Sequence, residues 1–179
     1  MQGSRPVASN GEIGRDPVYD GPVAGGEGLR ELMRGVPSPV AVVTVEAGGR
    51  PLGLTVETLV CLSLEPALVG VAISRQAAMH ELLREAGRFA VSALAEGQEA
   101  IAQHFARGVP PIALWEGVEV VGPGGGAPLL AGALGWLEAT VAGELTAGTH
   151  TFFVGAVTRV ELGAAGRGLV RARGSWLAA

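Results

Sequence analysis

Residues 137–162 read LEATVAGELTAGTHTFFVGAVTRVEL, and this stretch decides the fold class. From Leu137 to Leu145 the odd positions (Leu137, Ala139, Val141, Gly143, Leu145) share one side, and Glu138, Thr140 and Glu144 share the other. A period of two marks a β-strand. Phe152 to Leu162 repeats the pattern, with Val154, Ala156, Val160 and Leu162 opposite Arg159 and Glu161. Thr146-Ala147-Gly148-Thr149 lies between the two runs and suits a hairpin, so the strands are expected to pair antiparallel.

The same reading extends upstream. Val40 to Glu46 is β-branched, and Glu46 to Arg50 carries two glycines, as a hairpin turn requires. Leu52 to Leu64 reads as one long strand closed by Glu65-Pro66. Leu68 to Ile73 is apolar throughout and is expected to be buried on both faces or at a subunit contact. Phe89 to Leu94 and Leu169 to Arg173 are further strands. Helical spacing occurs in Leu29 to Val36, Met79 to Ala86 and Gln98 to Phe105; Pro37 and Pro39 end the first. Residues 107–130 form a Pro/Gly-rich excursion in which only Val118 to Val121 looks extended. The expected fold is mostly β (α+β), an antiparallel barrel of about six to seven strands whose ends two or three short helices plug. Residues 1–27, rich in Gly and Pro, are expected to be a flexible arm, with the folded domain at 28–179.

Composition bounds the function. The chain has 179 residues, one domain's worth, with 48% hydrophobic and 17% charged residues. Whole-chain disorder is excluded, and 4% aromatics make the core aliphatic. All 13 basic residues are Arg, which rules out a Walker A loop and a Schiff-base lysine. A net charge of −4 lacks the broad basic footprint of a nucleic-acid binder. Cys61 is the single cysteine, so no disulfide framework or multi-cysteine metal site can form; no metal is expected. Ala127 to Leu137, the longest apolar stretch, is too short and too broken to span a bilayer. With no secretory leader pattern, a cytoplasmic protein is expected.

Most familiar motifs fail. Gly122 to Ala127 fits G-x-G-x-x-G/A formally, but Pro128 follows where a helix should start. His80-Glu81 begins like a zinc-protease helix, but position 84 is Arg. No G-x-S-x-G occurs. His80 and His104 are expected to be ordinary helix-surface residues. His150, at the mouth of a hairpin, is the candidate for function.

Residues 53–69, GLTVETLVCLSLEPALV, resemble the G-M-T-A-N-S-F-T-S-V-S-L-D-P-P-L-V segment of the flavin reductase-like family. Leu83 to Leu94, Gln98 to Ala106, Pro128 to Glu138, and Gly148 to Thr151 with Val154 to Val157 resemble further segments of that family, in the same order. The resemblance covers about residues 29–176. It implies the FMN-binding split-barrel fold and a homodimer. It implies FMN or FAD as cofactor, NADH or NADPH as hydride donor, and delivery of reduced flavin to a flavin-dependent monooxygenase.

The resemblance also implies site residues. Thr55, Glu57, Thr58, Cys61, Leu62 and Ser63 would line the flavin. Here Glu57 replaces Asn, Thr58 replaces Ser and Cys61 replaces Ser. A carboxylate at Glu57 would repel an anionic flavin unless it turned to solvent or to an Arg. As a residue type, Cys61 is expected to be a small buried apolar side chain. Arg75 would grip the flavin phosphate, with Ser74 and Gln76 beside it. Ser92 stands where the family often has Asn near the flavin. His150 matches the catalytic-site histidine beside the nicotinamide, and Thr149 replaces the usual Asp. Only Arg173-Gly174 survives of the family's Y-H-R-G-R. Three other readings stay open: an electron carrier that holds FMN tightly, a non-catalytic flavin-binding protein, and a pyridoxamine-phosphate oxidase-like module.

Overall fold

The alternating runs become strands, and every strand pairing is antiparallel. The computed structural model describes residues 24–107, 113–122 and 126–179. In chain order the elements are α1 (Gly26–Gly35), β1 (Ser38–Pro39), β2 (Ala41–Ala47), β3 (Arg50–Val56), β4 (Val60–Leu64) and β5 (Ala67–Ser74). Then come α2 (Ala78–Ala86), β6 (Arg88–Ala93), α3 (Glu99–Ala106), β7 (Val120–Val121) and β8 (Leu129–Leu130). β9 (Gly135–Ala147), β10 (His150–Leu162), β11 (Leu169–Ala172) and β12 (Ser175–Ala178) complete the chain. The protein is thus mostly β with three helices among the described residues.

Seven strands form the main sheet in the order β3-β2-β6-β9-β10-β5-β4. Smaller sheets join β1, β11 and β12, and β7 with β8. β2 is buried on both faces, because alternate residues feed two cores. Ala41, Val43 and Val45 join Val71, Ile73, Phe89 and Phe153 around α2. Val40 and Val42 join Leu94, Leu130, Leu169 and α3's Phe105. Burial of the Val, Leu, Ile and Phe side chains among these contributes roughly 1.5–3 kcal/mol each.

Several expectations need correction. Leu52 to Leu64 is two strands. The chain leaves the ladder at Glu57 to Leu59 because the Thr58 hydroxyl acts as a strand partner for Ala72. It accepts from the Ala72 N–H (3.0 Å) and donates to the Ala72 carbonyl (3.2 Å). In β10 the inward residues are Thr151, Phe153 and Gly155; the expected inner residues Val160 and Leu162 are 63% and 84% exposed. A register shift between Val157 and Arg159 breaks the simple alternation. β5 stands as the buried strand expected on one face, with Val69, Val71 and Ile73 buried; on the other, Gly70 is buried and Leu68 and Ala72 are half-buried. α1 starts at Gly26, inside the expected arm, and buries no residue. β12 had no distinct sequence signal. The remainder of the expected arm, 1–23, and residues 123–125 of the Gly122–Ala127 motif lie outside the described residues.

Candidate active site

The candidate residues are ordered along β5 and its neighbours. β5 pairs with β4 on one side and β10 on the other. Its last residue, Ser74, stands opposite His150. The chain then turns: the Ser74 carbonyl accepts from the Ala77 N–H at 3.0 Å, and Ser74 Oγ accepts from the Gln76 N–H at 3.3 Å. Arg75 lies in this turn. Its N–H donates to the Thr149 carbonyl (3.0 Å), and its guanidinium reaches the Gly148 carbonyl (3.5 Å). The phosphate-turn candidate and the His150 hairpin are therefore joined, although more than seventy residues separate them in sequence.

His150 is exposed, and its Nδ1 lies 2.9 Å from Thr149 Oγ1. Thr149 thus orients the imidazole in place of the carboxylate that the resemblance led us to expect. A hydroxyl can donate or accept, so either tautomer is accommodated and Nε2 takes no part in that bond.

On the other side of β5, β4 is the edge of the main sheet, so among the described residues one row of its backbone N–H and C=O groups has no strand partner. Cys61 pairs with Val69 and Ser63 with Leu68, so Leu62 drops out of the register. Cys61 and Leu62 are exposed and Ser63 is half-buried. Cys61 is therefore not the buried small side chain that residue type suggested. Glu57 is exposed at the bend between β3 and β4, so its carboxylate does turn to solvent.

Two expected residues stand apart. Thr55 turns its hydroxyl toward α3 and donates to the Ala102 carbonyl (2.7 Å), leaving only its backbone for a ligand. Ser92 is 0% exposed, and its Oγ accepts from the Leu130 N–H (3.0 Å). Its hydroxyl is thus consumed within the core and does not reach the surface where the others gather.

Sequence reasoning missed His80. It is 2% exposed rather than on the helix surface. Its Nε2 lies 2.7 Å from Thr151 Oγ1, its Nδ1 lies 2.7 Å from Glu81 Oε1, and its ring meets Phe153 edge-on. Nothing in the spacing separated it from a solvated neighbour, because His80 borders the Met79/Leu83 face of α2. His104 is half-buried and bonds the Leu114 carbonyl through Nε2 (2.7 Å). Arg173-Gly174 forms the β11–β12 turn, with φ of 50° and 77°. That geometry, a two-residue turn with both φ positive, explains the pair without any ligand.

The donor set suits a phosphorylated planar heterocycle: a guanidinium, hydroxyls, an imidazole and an open strand edge, with no three-residue metal-binding cluster among the described residues. The family is shown by comparison. Residues 33–176 match the flavin reductase like domain, and the chain belongs to that family. It is 40% identical over 132 residues to the NADH-dependent FAD reductase of Streptomyces globisporus, covering 72% of each chain. It is 39% identical over 145 residues to the reductase component of 4-hydroxyphenylacetate 3-monooxygenase from Thermus thermophilus, covering 80% of this chain and 90% of the relative. Among solved structures, the NADH:FAD oxidoreductase of Streptomyces globisporus C-1027, in complex with NAD and FAD fragments, superposes with a TM-score of 0.78. The identity there is 35%, and the match covers 83% of this chain and 89% of that one.

Proposed function

We propose that this protein is an NAD(P)H:flavin oxidoreductase that reduces FMN or FAD by direct hydride transfer and supplies reduced flavin to a partner monooxygenase. One observation carries the reading: the Arg75 turn and the His150 hairpin are bonded to each other beside β5, whose other neighbour is the open-edged β4. The family and its reductase relatives support it. When bound, the flavin supplies the hydride-accepting ring and the nicotinamide nucleotide supplies the hydride.

The chain's own work is binding and orientation. Arg75, with Ser74 and Gln76, would hold the flavin phosphate by charge-assisted bonds. The backbone of Thr55 to Thr58 and of Cys61 to Ser63 would meet the ring edge. His150 Nε2 would hydrogen-bond the nicotinamide carboxamide and hold it in near-attack geometry. Glu57, Thr58, Cys61, Leu62, Arg75, Gln76 and His150 are all exposed, which suits a flavin that enters and leaves rather than one held permanently.

The seven-stranded sheet, whose β3 and β5 ends approach through the Thr58–Ala72 bonds, is read as the family's split barrel, formed by residues 28–179. Leu62, Leu64, Val160 and Leu162 are 45%, 87%, 63% and 84% exposed, apolar side chains that a second copy in a homodimer would cover. No helix among the described residues is long and apolar enough to cross a membrane, and a cytoplasmic setting is part of this reading.

Arg75→Ala tests the site. It is expected to weaken FMN binding about 10- to 100-fold, the loss of a charged hydrogen-bond partner, while leaving riboflavin binding unchanged. Equal losses for the two ligands, read by titration of flavin fluorescence, would remove Arg75 from the phosphate.

A further inference from the structure

We propose that His80 is a positioning residue, whose buried hydrogen bond to Thr151 fixes the His150-bearing tip of β10 against α2 and the Arg75 turn. The proposal rests on the role given above to His150. Glu81 Oε1, 2.7 Å from His80 Nδ1, can only accept, so Nδ1 carries the proton. In the neutral ring Nε2 is then the acceptor, and the Thr151 hydroxyl donates to it across 2.7 Å. Thr151 is 1% exposed and points inward, so strand alternation turns His150 outward.

α2 grips the hairpin at a second point. Arg84 donates to both Glu144 carboxylate oxygens on β9, at 2.9 and 2.8 Å, and lies 3.6 Å from Glu81. The bond to Glu144 raises the Arg84 pKa further, more than its partial burial lowers it, so the cation persists at any working pH. This outer pair is half-exposed and of small energetic weight; the inner pair supplies direction. α2 itself begins three residues beyond Arg75: Ala77, whose N–H closes the Arg75 turn on the Ser74 carbonyl, accepts at its own carbonyl from the His80 N–H in the first turn of α2 (2.9 Å). His80 therefore ties together the two parts of the site.

Stability alone does not account for the pair. His80 is 2% and Thr151 1% exposed, and the His80 ring meets Phe153 edge-on, a setting in which two apolar side chains of similar shape would serve as well. An apolar pair would lack a preferred direction. The pairing of β10 with β9 shifts register between Val154 and Gly155. The tip at His150 to Phe153 is thus out of phase with the longer half of the hairpin, and a side-chain bond with a fixed length can set its place.

The test is the double variant H80L/T151V beside T151S, measured in the full chain. The double variant is expected to keep its melting temperature within about 4 °C and its flavin affinity within about twofold. Its single-turnover hydride transfer from NADH is expected to fall about 10- to 100-fold, the cost of a misplaced reactant. T151S keeps the hydroxyl and is expected to transfer hydride like the parent. A second measurement uses no flavin. The protein's three histidines are resolvable by side-chain 1H–15N NMR. The His80 signal is expected as the Nδ1–H tautomer, and the double variant is expected to shift the His150 ring signals. An unchanged transfer rate, a loss shared equally with flavin affinity, or T151S behaving like the double variant would overturn the proposal. If the parent protein transfers no hydride at all, the proposed function fails and the NMR comparison decides the clamp: unmoved His150 signals overturn it.

Discussion

Gly155→Val is expected to destabilise the protein by about 3 kcal/mol or more, through overpacking of a filled core. Gly155 sits in β10 opposite Val69 of β5 and Val141 of β9, where the register with β9 shifts. A Cβ at this position would lie 2.5 Å from Phe89 Cζ, 2.8 Å from Phe89 Cε1 and 2.9 Å from the Ala139 Cβ. Phe89 is 2% exposed and Ala139 is 2% exposed, so neither has space to retreat. The strand must bow outward or the Phe89 ring must leave its rotamer, and each route opens the core around Phe153. A thermal melt is expected to fall by roughly 6–12 °C, given about 2–4 °C per kcal/mol for a chain of this size. A melt within 2 °C of the parent would show that the sheet has slack the structure does not contain. The Gly–Phe contact thus links a sequence choice to the spacing of β10 against β6 and β9, on which the His150 hairpin depends.

His150→Ala is expected to slow hydride transfer about 10- to 100-fold while changing flavin affinity less than about twofold. His150 is exposed, and among the described residues its side chain bonds only the neighbouring Thr149 hydroxyl, so it is not a residue the fold depends on. Removing it should therefore leave the melting temperature unchanged. What would be lost, on the proposed role, is the Nε2 hydrogen bond to the nicotinamide carboxamide. Anaerobic single-turnover kinetics separate the two effects, because the flavin can be saturated before NADH is added. A rate equal to the parent's would remove His150 from the site. A rate loss that disappears when flavin is raised would reassign it to flavin binding.

The fold was legible where local and global signals agreed. The alternation in residues 137–162 and the helical spacing of Met79 to Ala86 gave the β9–β10 hairpin and α2 within a residue or two. The relatives agree with the resemblance read from five ordered motifs. What could not be read depended on partners distant in sequence. Leu52 to Leu64 is apolar enough for one strand, and only the Thr58–Ala72 pairing shows why it breaks. Ser92 looked available because its consumer, the Leu130 N–H, comes 38 residues later. His80 looked like a solvated residue until β10 delivered Thr151 beside it. In β10 both alternating faces carry apolar residues in the first half, so periodicity alone could not choose between Phe153 and Val154 as the inward side chain. The meeting of Arg75 with the His150 hairpin was likewise beyond sequence reading, since strand order, not spacing, creates it.

The most direct measurement mixes the protein anaerobically with FMN or FAD and NADH or NADPH, each nucleotide carrying hydrogen or deuterium at nicotinamide C4. The account predicts that the yellow flavin absorbance is lost one-for-one with nucleotide oxidation, far faster than without protein and more slowly with the deuterated donor. No bleaching above the protein-free control, for every combination of flavin and nucleotide, would contradict it.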